Sequence, residues 1–234
     1  MRIRFKPWAR EELETSPFYI DNPQEMKNRW KTSFENNNRI YLELGCGKGN
    51  FIAKASKNNP NVNYIAIDLV DAMLGMAKRN IEAAYGIRKS TDAEIIENEI
   101  AKEKIVKNVK LTRYDISRIS DIFGKEDEIQ RIYINFCNPW PKGKHHKKRL
   151  THERQLEQYK IFLKGKIYFK TDDDDLFESS IKSFENSGYS IIKKTYDLEN
   201  EANFWEDEEN IQTEHEKMFS EQGIKIKALI AIVA

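Results

Sequence analysis

The chain has 234 residues, 39% of them hydrophobic and a third charged, which describes a folded protein with one good-sized core and a very polar surface rather than a disordered segment. Lys and Arg total 39 against 38 Asp and Glu, so the net charge of +1 does not by itself argue for a nucleic-acid partner, and only the distribution of charge can do so. Cys46 and Cys137 lack the spacing of a metal motif and the density of a disulfide scaffold, and the longest apolar stretch, 228–234, is too short for a bilayer, so a cytoplasmic protein without a membrane span is expected.

Residues 1–38 show no clean period and carry Pro7, Pro17 and Pro23, which predicts an N-terminal arm packed on the body through Trp8, Phe18, Tyr19 and Trp30, with one short helix around 24–34. Its basic residues Arg2, Arg4, Lys6 and Arg10 serve equally well as RNA contacts or as solvated charges. The remainder, 39–234, reads as one domain.

From Arg39 the pattern becomes regular. An apolar run, 40–44, stops at Gly45-Cys46-Gly47-Lys48-Gly49 and gives way to a helix over 50–57, the opening of a βαβ unit. A second strand, 63–68, ends in Asp68, and a helix over 70–85 follows. Residues 86–107 are charged and helix-prone, consistent with a lengthened helix or an insertion. Further strands are predicted at 109–114, ending at Asp115, and at 131–136. A helix opens near Thr151 in the manner of a loose capping box. Then come a strand at 166–170, a helix at 173–186 capped by Thr171 or Asp172, and strands at 189–195 and 225–233. This order predicts an α/β fold, a mostly parallel seven-stranded sheet with helices on both faces. Ligands of such sheets bind at the carboxyl ends of the strands, so Glu43, Asp68, Asp115, Asn138 and Thr171 should converge.

Three segments carry chemistry. The spacing Gly45-x-Gly47-x-Gly49 departs from the dinucleotide G-x-G-x-x-G by one residue, and Glu43 ahead of it would repel a pyrophosphate yet attract an ammonium. With Asp68 nineteen residues beyond Gly49 to meet a ribose, the pattern suits S-adenosylmethionine, the alternative being a purely structural turn. The corner Asn138-Pro139-Trp140-Pro141 follows a strand, and its amide can read a base edge, while Trp140 is better suited to holding the loop than to stacking on a base. Cys137 has no partner base nearby and reads as a small apolar residue. Lys142, Lys144, His145, His146, Lys147, Lys148 and Arg149 then form a basic run suited to a phosphate backbone, and no metal site is expected from the paired histidines.

With Glu43–Gly49, 135–151, 169–172 and Thr213–Glu216 laid out, the chain resembles the bacterial tRNA (guanine-N7)-methyltransferase family over nearly its full length. The resemblance implies a Rossmann-like class I methyltransferase fold with an antiparallel last strand, S-adenosyl-L-methionine as donor, and a guanine at position 46 of the tRNA variable loop as acceptor, in a monomer or homodimer. It implies that Glu43, Gly45, Gly47, Gly49, Asp68, Asp115 and Asn138 hold the cofactor, that Asn138 stands at the catalytic position, and that Lys142, Asp172, Thr213 and Glu216 bind substrate. One departure matters: where this chain has Asn138, the family usually has an aspartate, within Ser-Asp-Pro-Trp-Pro-Lys. Related corners in methyltransferases of exocyclic amines, and an RNA-binding protein without turnover, are the competing readings.

Overall fold

A computed structural model describes residues 4–88, 105–205 and 210–233. Most of the expected insertion at 86–107 lies outside these residues. In chain order the elements are α1 (Pro7–Glu14), β1 (Tyr19–Ile20), β2 (Arg39–Leu44), α2 (Asn50–Asn58), β3 (Val62–Asp68), α3 (Asp71–Ala84), β4 (Val109–Arg113) and β5 (Ile129–Asn135). They continue with α4 (Glu153–Tyr159), β6 (Leu163–Thr171), α5 (Asp174–Asn186), β7 (Tyr189–Thr195), α6 (Glu214–Glu221) and β8 (Lys227–Val233).

The strands form one sheet in the order β1-β4-β3-β2-β5-β6-β8-β7, parallel throughout except at β8, which runs against both β6 and β7. Alternation along each strand divides the core in two. Ile40, Leu42 and Leu44 of β2, Ile65 and Ile67 of β3, and Ile132 and Ile134 of β5 face α4 and α5. Tyr41, Tyr64, Ala66, Tyr133 and Tyr168 face the side covered by α2 and α3. The order of the sheet reverses between β2 and β5, so the carboxyl ends of these two central strands diverge into their loops and leave a crevice there.

Among the described residues the sheet has eight strands rather than seven. The extra one, β1, comes from the N-terminal arm and pairs parallel with β4, with Leu111 donating its N–H to the Phe18 carbonyl at 2.8 Å. Two residues carry no readable period, which is why this strand is invisible in sequence. The arm also places α1 on α3, where Gly75 lets the helices touch: a Cβ there would meet the Ala9 Cβ at 2.8 Å. Trp30 is fully buried and stacks on Phe123 at 5.2 Å between centroids.

Three local expectations are corrected. The helix around 24–34 is instead two short 3-10 turns, Pro23–Met26 and Trp30–Ser33. They are separated because the buried Asp127 carboxylate accepts the backbone N–H groups of Asn28 at 2.9 Å and Trp30 at 3.0 Å, with Asn28 at φ 64°. The helix α5 is capped by Asp173, which accepts from the Leu176 N–H at 2.6 Å, while Thr171 accepts from the Asp173 N–H one step earlier. The helix α4 is capped by the His152 ring through the Arg154 N–H at 3.1 Å, because the Thr151 hydroxyl is buried against Ser180 at 2.6 Å.

Candidate active site

The glycine turn between β2 and α2 takes the left-handed backbone region at all three glycines, with φ 76° at Gly45, 53° at Gly47 and 71° at Gly49. Gly49 has a second reason to lack a side chain, since a Cβ would lie 2.5 Å from the Ala77 Cβ, so α2 can start only where α3 approaches this closely. Gly47 differs: a Cβ there meets nothing within 4 Å. Its outer side is open backbone, as a site for a closely bound ligand requires.

Beside the turn, Asp68 ends β3. One carboxylate oxygen accepts the Gly47 N–H at 3.0 Å and the other the Val70 N–H at 3.0 Å, fixing the group beside the glycine turn. Burial raises its pKa, and the hydrogen bonds from Val70 and Gly47 oppose that rise. Asp115 is exposed just past β4 and caps the following 3-10 turn by accepting the Ser117 N–H at 2.9 Å. The Tyr114 N–H donates to the Asp68 carbonyl at 3.1 Å, so the two acidic loops are neighbours.

Glu43 is buried at the end of β2. Asn135 donates to its Oε1 at 3.2 Å, but its Oε2 has no partner among the described residues. Burial pushes its carboxyl up to about 8, against the opposing influence of Asn135 and of Lys170 nearby. A buried carboxylate oxygen without a donor is energetically costly unless a cation completes it. The orphaned oxygen and the open backbone at Gly47 therefore fit a cofactor that carries an ammonium group.

The corner after β5 is held in a fixed, strained shape. Phe136 and Trp140 take positive φ, 51° and 45°, which non-glycine residues adopt only when their surroundings impose it. The Trp140 N–H donates to the Asn138 Oδ1 at 3.0 Å. From behind, the Arg149 Nε donates to the Pro139 carbonyl at 2.7 Å, while its Nη1 reaches Ser179 and its Nη2 Asp175, each at 2.6 Å. The sequence predicts Arg149 on the phosphate-binding surface; it is instead buried and turned inward, so its part is to clamp the corner to α5.

The rest of the basic run forms a 3-10 turn, Gly143–Lys148, with Lys142, Lys144, Lys147 and Lys148 exposed. Trp140 holds this turn, with the Lys148 ammonium 4.8 Å from its ring centroid and the His145 ring at 5.8 Å. His145 and His146 are half-buried, and among the described residues no cluster of metal-ligating side chains occurs. Cys137 packs against the core, where burial pushes its thiol up to about 12, so it is a poor nucleophile.

Thr213 and Glu216 form a reciprocal capping box on α6. Their side chains are used internally, because Glu216 also accepts from Lys170 at 2.5 Å and from Asn210 at 2.6 Å. The segment instead presents Glu214 and His215 outward. Glu214 accepts from Lys48 at 3.0 Å and Asn50 at 3.0 Å beside the glycine turn, and His215 stacks on Phe136 with centroids 6.0 Å apart. Asp172 is half-buried next to α5, with its carbonyl accepting from Lys227 at 2.9 Å.

Sequence reasoning missed Asn135 and Lys170. Both are polar residues that directly follow apolar stretches, Ile132–Ile134 and Ile167–Phe169, near the carboxyl ends of their strands, which was the available signal. With Phe51, Tyr133, Tyr168, Trp205, Asn210 and Ile211 they line a pocket beneath the connection from β7 to β8.

A family model described as "Putative methyltransferase" matches residues 37–229. A tRNA (guanine-N(7)-)-methyltransferase of Clostridium beijerinckii is 57% identical, covering 99% of both chains, and one of Clostridium botulinum is 55% identical with the same coverage. Among solved structures, the 16S rRNA methyltransferase KamB superposes with a TM-score of 0.53 over 99% of this chain and 96% of its own at 14% identity, a likeness of fold alone. That fold is the Rossmann-like sheet of methyltransferases.

Proposed function

The chain belongs to the tRNA (guanine-N7)-methyltransferase family, and from that premise we propose that it methylates N7 of the guanine at position 46, in the variable loop of cytoplasmic tRNA. The observation that carries the reading is the meeting of the glycine turn, the orphaned Glu43 oxygen and the Asn138 corner at the carboxyl ends of β2 and β5.

S-adenosyl-L-methionine, when bound, supplies an electrophilic methyl group. Glu43 would pair with its ammonium, Gly45, Gly47 and Gly49 would give it close backbone approach, and Asp68 and Asp115 would take its hydroxyls. Guanine N7 has an in-plane lone pair and no proton to lose, so no base is required at the corner. Asn138 acts by orientation, holding N7 in line at roughly 3 to 3.5 Å, where alignment supplies much of the acceleration. Lys142 and Asp172 flank the corner as substrate contacts, and Thr213 and Glu216 hold the segment that carries Glu214 and His215 over it. Lys144, Lys147 and Lys148, with the histidines between them, face the tRNA backbone. The enzyme works as a monomer or homodimer, with 1–38 as an arm on a domain spanning 39–234.

The test is to incubate unmodified tRNA with the protein and methyl donor, then digest and identify nucleosides by mass spectrometry. 7-Methylguanosine mapped to position 46 is the expected product. N6-Methyladenosine, or salt-dependent tRNA binding without transfer, would overturn the proposal.

A further inference from the structure

We propose that Asn138 is the residue that selects guanine, by donating a hydrogen bond from its Nδ2 to guanine O6 while N7 is methylated. This rests on the guanine-N7 reading above. The two ends of a side-chain amide are usually assigned by their neighbours, and here the neighbour is decisive. The Trp140 backbone N–H can only donate, so the atom facing it at 3.0 Å is the Asn138 oxygen. The amide NH2 is consequently the outward end. It has no hydrogen-bond partner among the described residues, and Asn138 is exposed.

The corner cannot easily turn this group around. Trp140 is locked at φ 45°, and the Pro139 carbonyl between the two residues is held by Arg149 at 2.7 Å. Flipping the amide would set NH2 against N–H and take from the Trp140 donor the acceptor it has in this turn.

On the edge that carries N7, guanine shows two acceptors, N7 and O6, whereas adenine shows N7 beside an N6 amino donor. A fixed donor next to the methyl-transfer position complements O6 and repels an amino group. An aspartate in the same turn would also accept from Trp140, but its second oxygen would face O6 as an acceptor. Asparagine at 138 therefore gives up a negative charge that would stabilise the methylated purine and gains direct discrimination at position 6.

The test uses two tRNAs that differ only at the target base, guanine or 2,6-diaminopurine. Both keep N7, and the analogue replaces O6 by an amino group. The wild-type protein should prefer guanine by roughly 10- to 100-fold in kcat/KM. In Asn138→Asp, which retains the acceptor for Trp140 and so the turn, that preference should shrink at least tenfold. Both enzymes meet the same RNAs, so any effect of the analogue on tRNA folding cancels in the comparison. Equal use of the two bases by the wild type, or an unchanged preference in Asn138→Asp, would overturn the inference. Absence of 7-methylguanosine from the guanine tRNA would instead overturn the functional reading beneath it.

Discussion

Lys170 and Glu216 pair at 2.5 Å with their side chains only 3% and 5% exposed, although 46 residues separate them. The Lys170 ammonium also donates to Asn210 Oδ1 and to the Ile211 carbonyl, each at 3.2 Å. One cation at the end of β6 therefore gathers three points of the connection that carries α6, and α6 reaches from there to the glycine turn through Glu214.

Removing that cation leaves a buried carboxylate unpaired. Lys170→Met is expected to destabilise the protein by about 3–5 kcal/mol, measured by urea unfolding. Pairing it with Glu216→Leu should recover a large part of the loss. If Lys170→Met cost no more than an ordinary surface substitution, the ion pair would not be the anchor of the connection.

Glu43 makes stability and cofactor affinity depend on pH in opposite senses. Its folded carboxyl titrates near 8, above the ordinary value of 4.5, so the folded chain binds the proton more tightly than the unfolded chain. The stability this lends is fully present below the unfolded value and is lost as pH rises from there towards 8, by at most about 1.4 kcal/mol per pH unit. An ammonium-bearing cofactor prefers the ionised form, so its affinity should rise with pH up to about 8 with release of a proton. Calorimetry in buffers of different ionisation enthalpy reads that proton, and Glu43→Gln should abolish it.

Gly47 and Gly49 have the same backbone handedness but different neighbours. Gly49→Ala drives a methyl group into Ala77 and should destabilise by about 2–4 kcal/mol, through overpacking added to the left-handed strain. Gly47→Ala should lose only about 1 kcal/mol of stability, because the space around it is open, and lose cofactor affinity instead. Denaturant curves with and without S-adenosylmethionine separate the two effects.

The basic segment should divide by burial. Replacing Lys144, Lys147 or Lys148 with alanine is expected to lower the slope of log affinity for tRNA against log salt by roughly one unit for each phosphate that is no longer neutralised. Arg149→Ala should leave that slope unchanged and reduce stability by about 2–4 kcal/mol, since it strips donors from the Pro139 carbonyl and from Asp175. Filter binding across salt concentrations, with unfolding curves beside it, distinguishes the classes.

The architecture was legible because burial imposes period: apolar runs ending near Glu43, Asp68 and Asp115, alternating with helices, already imply a mostly parallel sheet and place acids at its ligand-binding end. The glycine spacing and the Asn138 corner were legible for the same reason, being local backbone chemistry written in consecutive residues. What depends on partners distant in the chain was not. A two-residue strand exists only because β4 has a free edge, the helix around 24–34 breaks only because Asp127 takes its amides, and α6 is tied down by a lysine far earlier in sequence. The basic run shows the division most plainly. Its composition determined a cationic surface, but only the fold decided that Arg149 leaves that surface to hold Pro139, because a guanidinium once buried needs acceptors and finds them in the Pro139 carbonyl, Ser179 and Asp175.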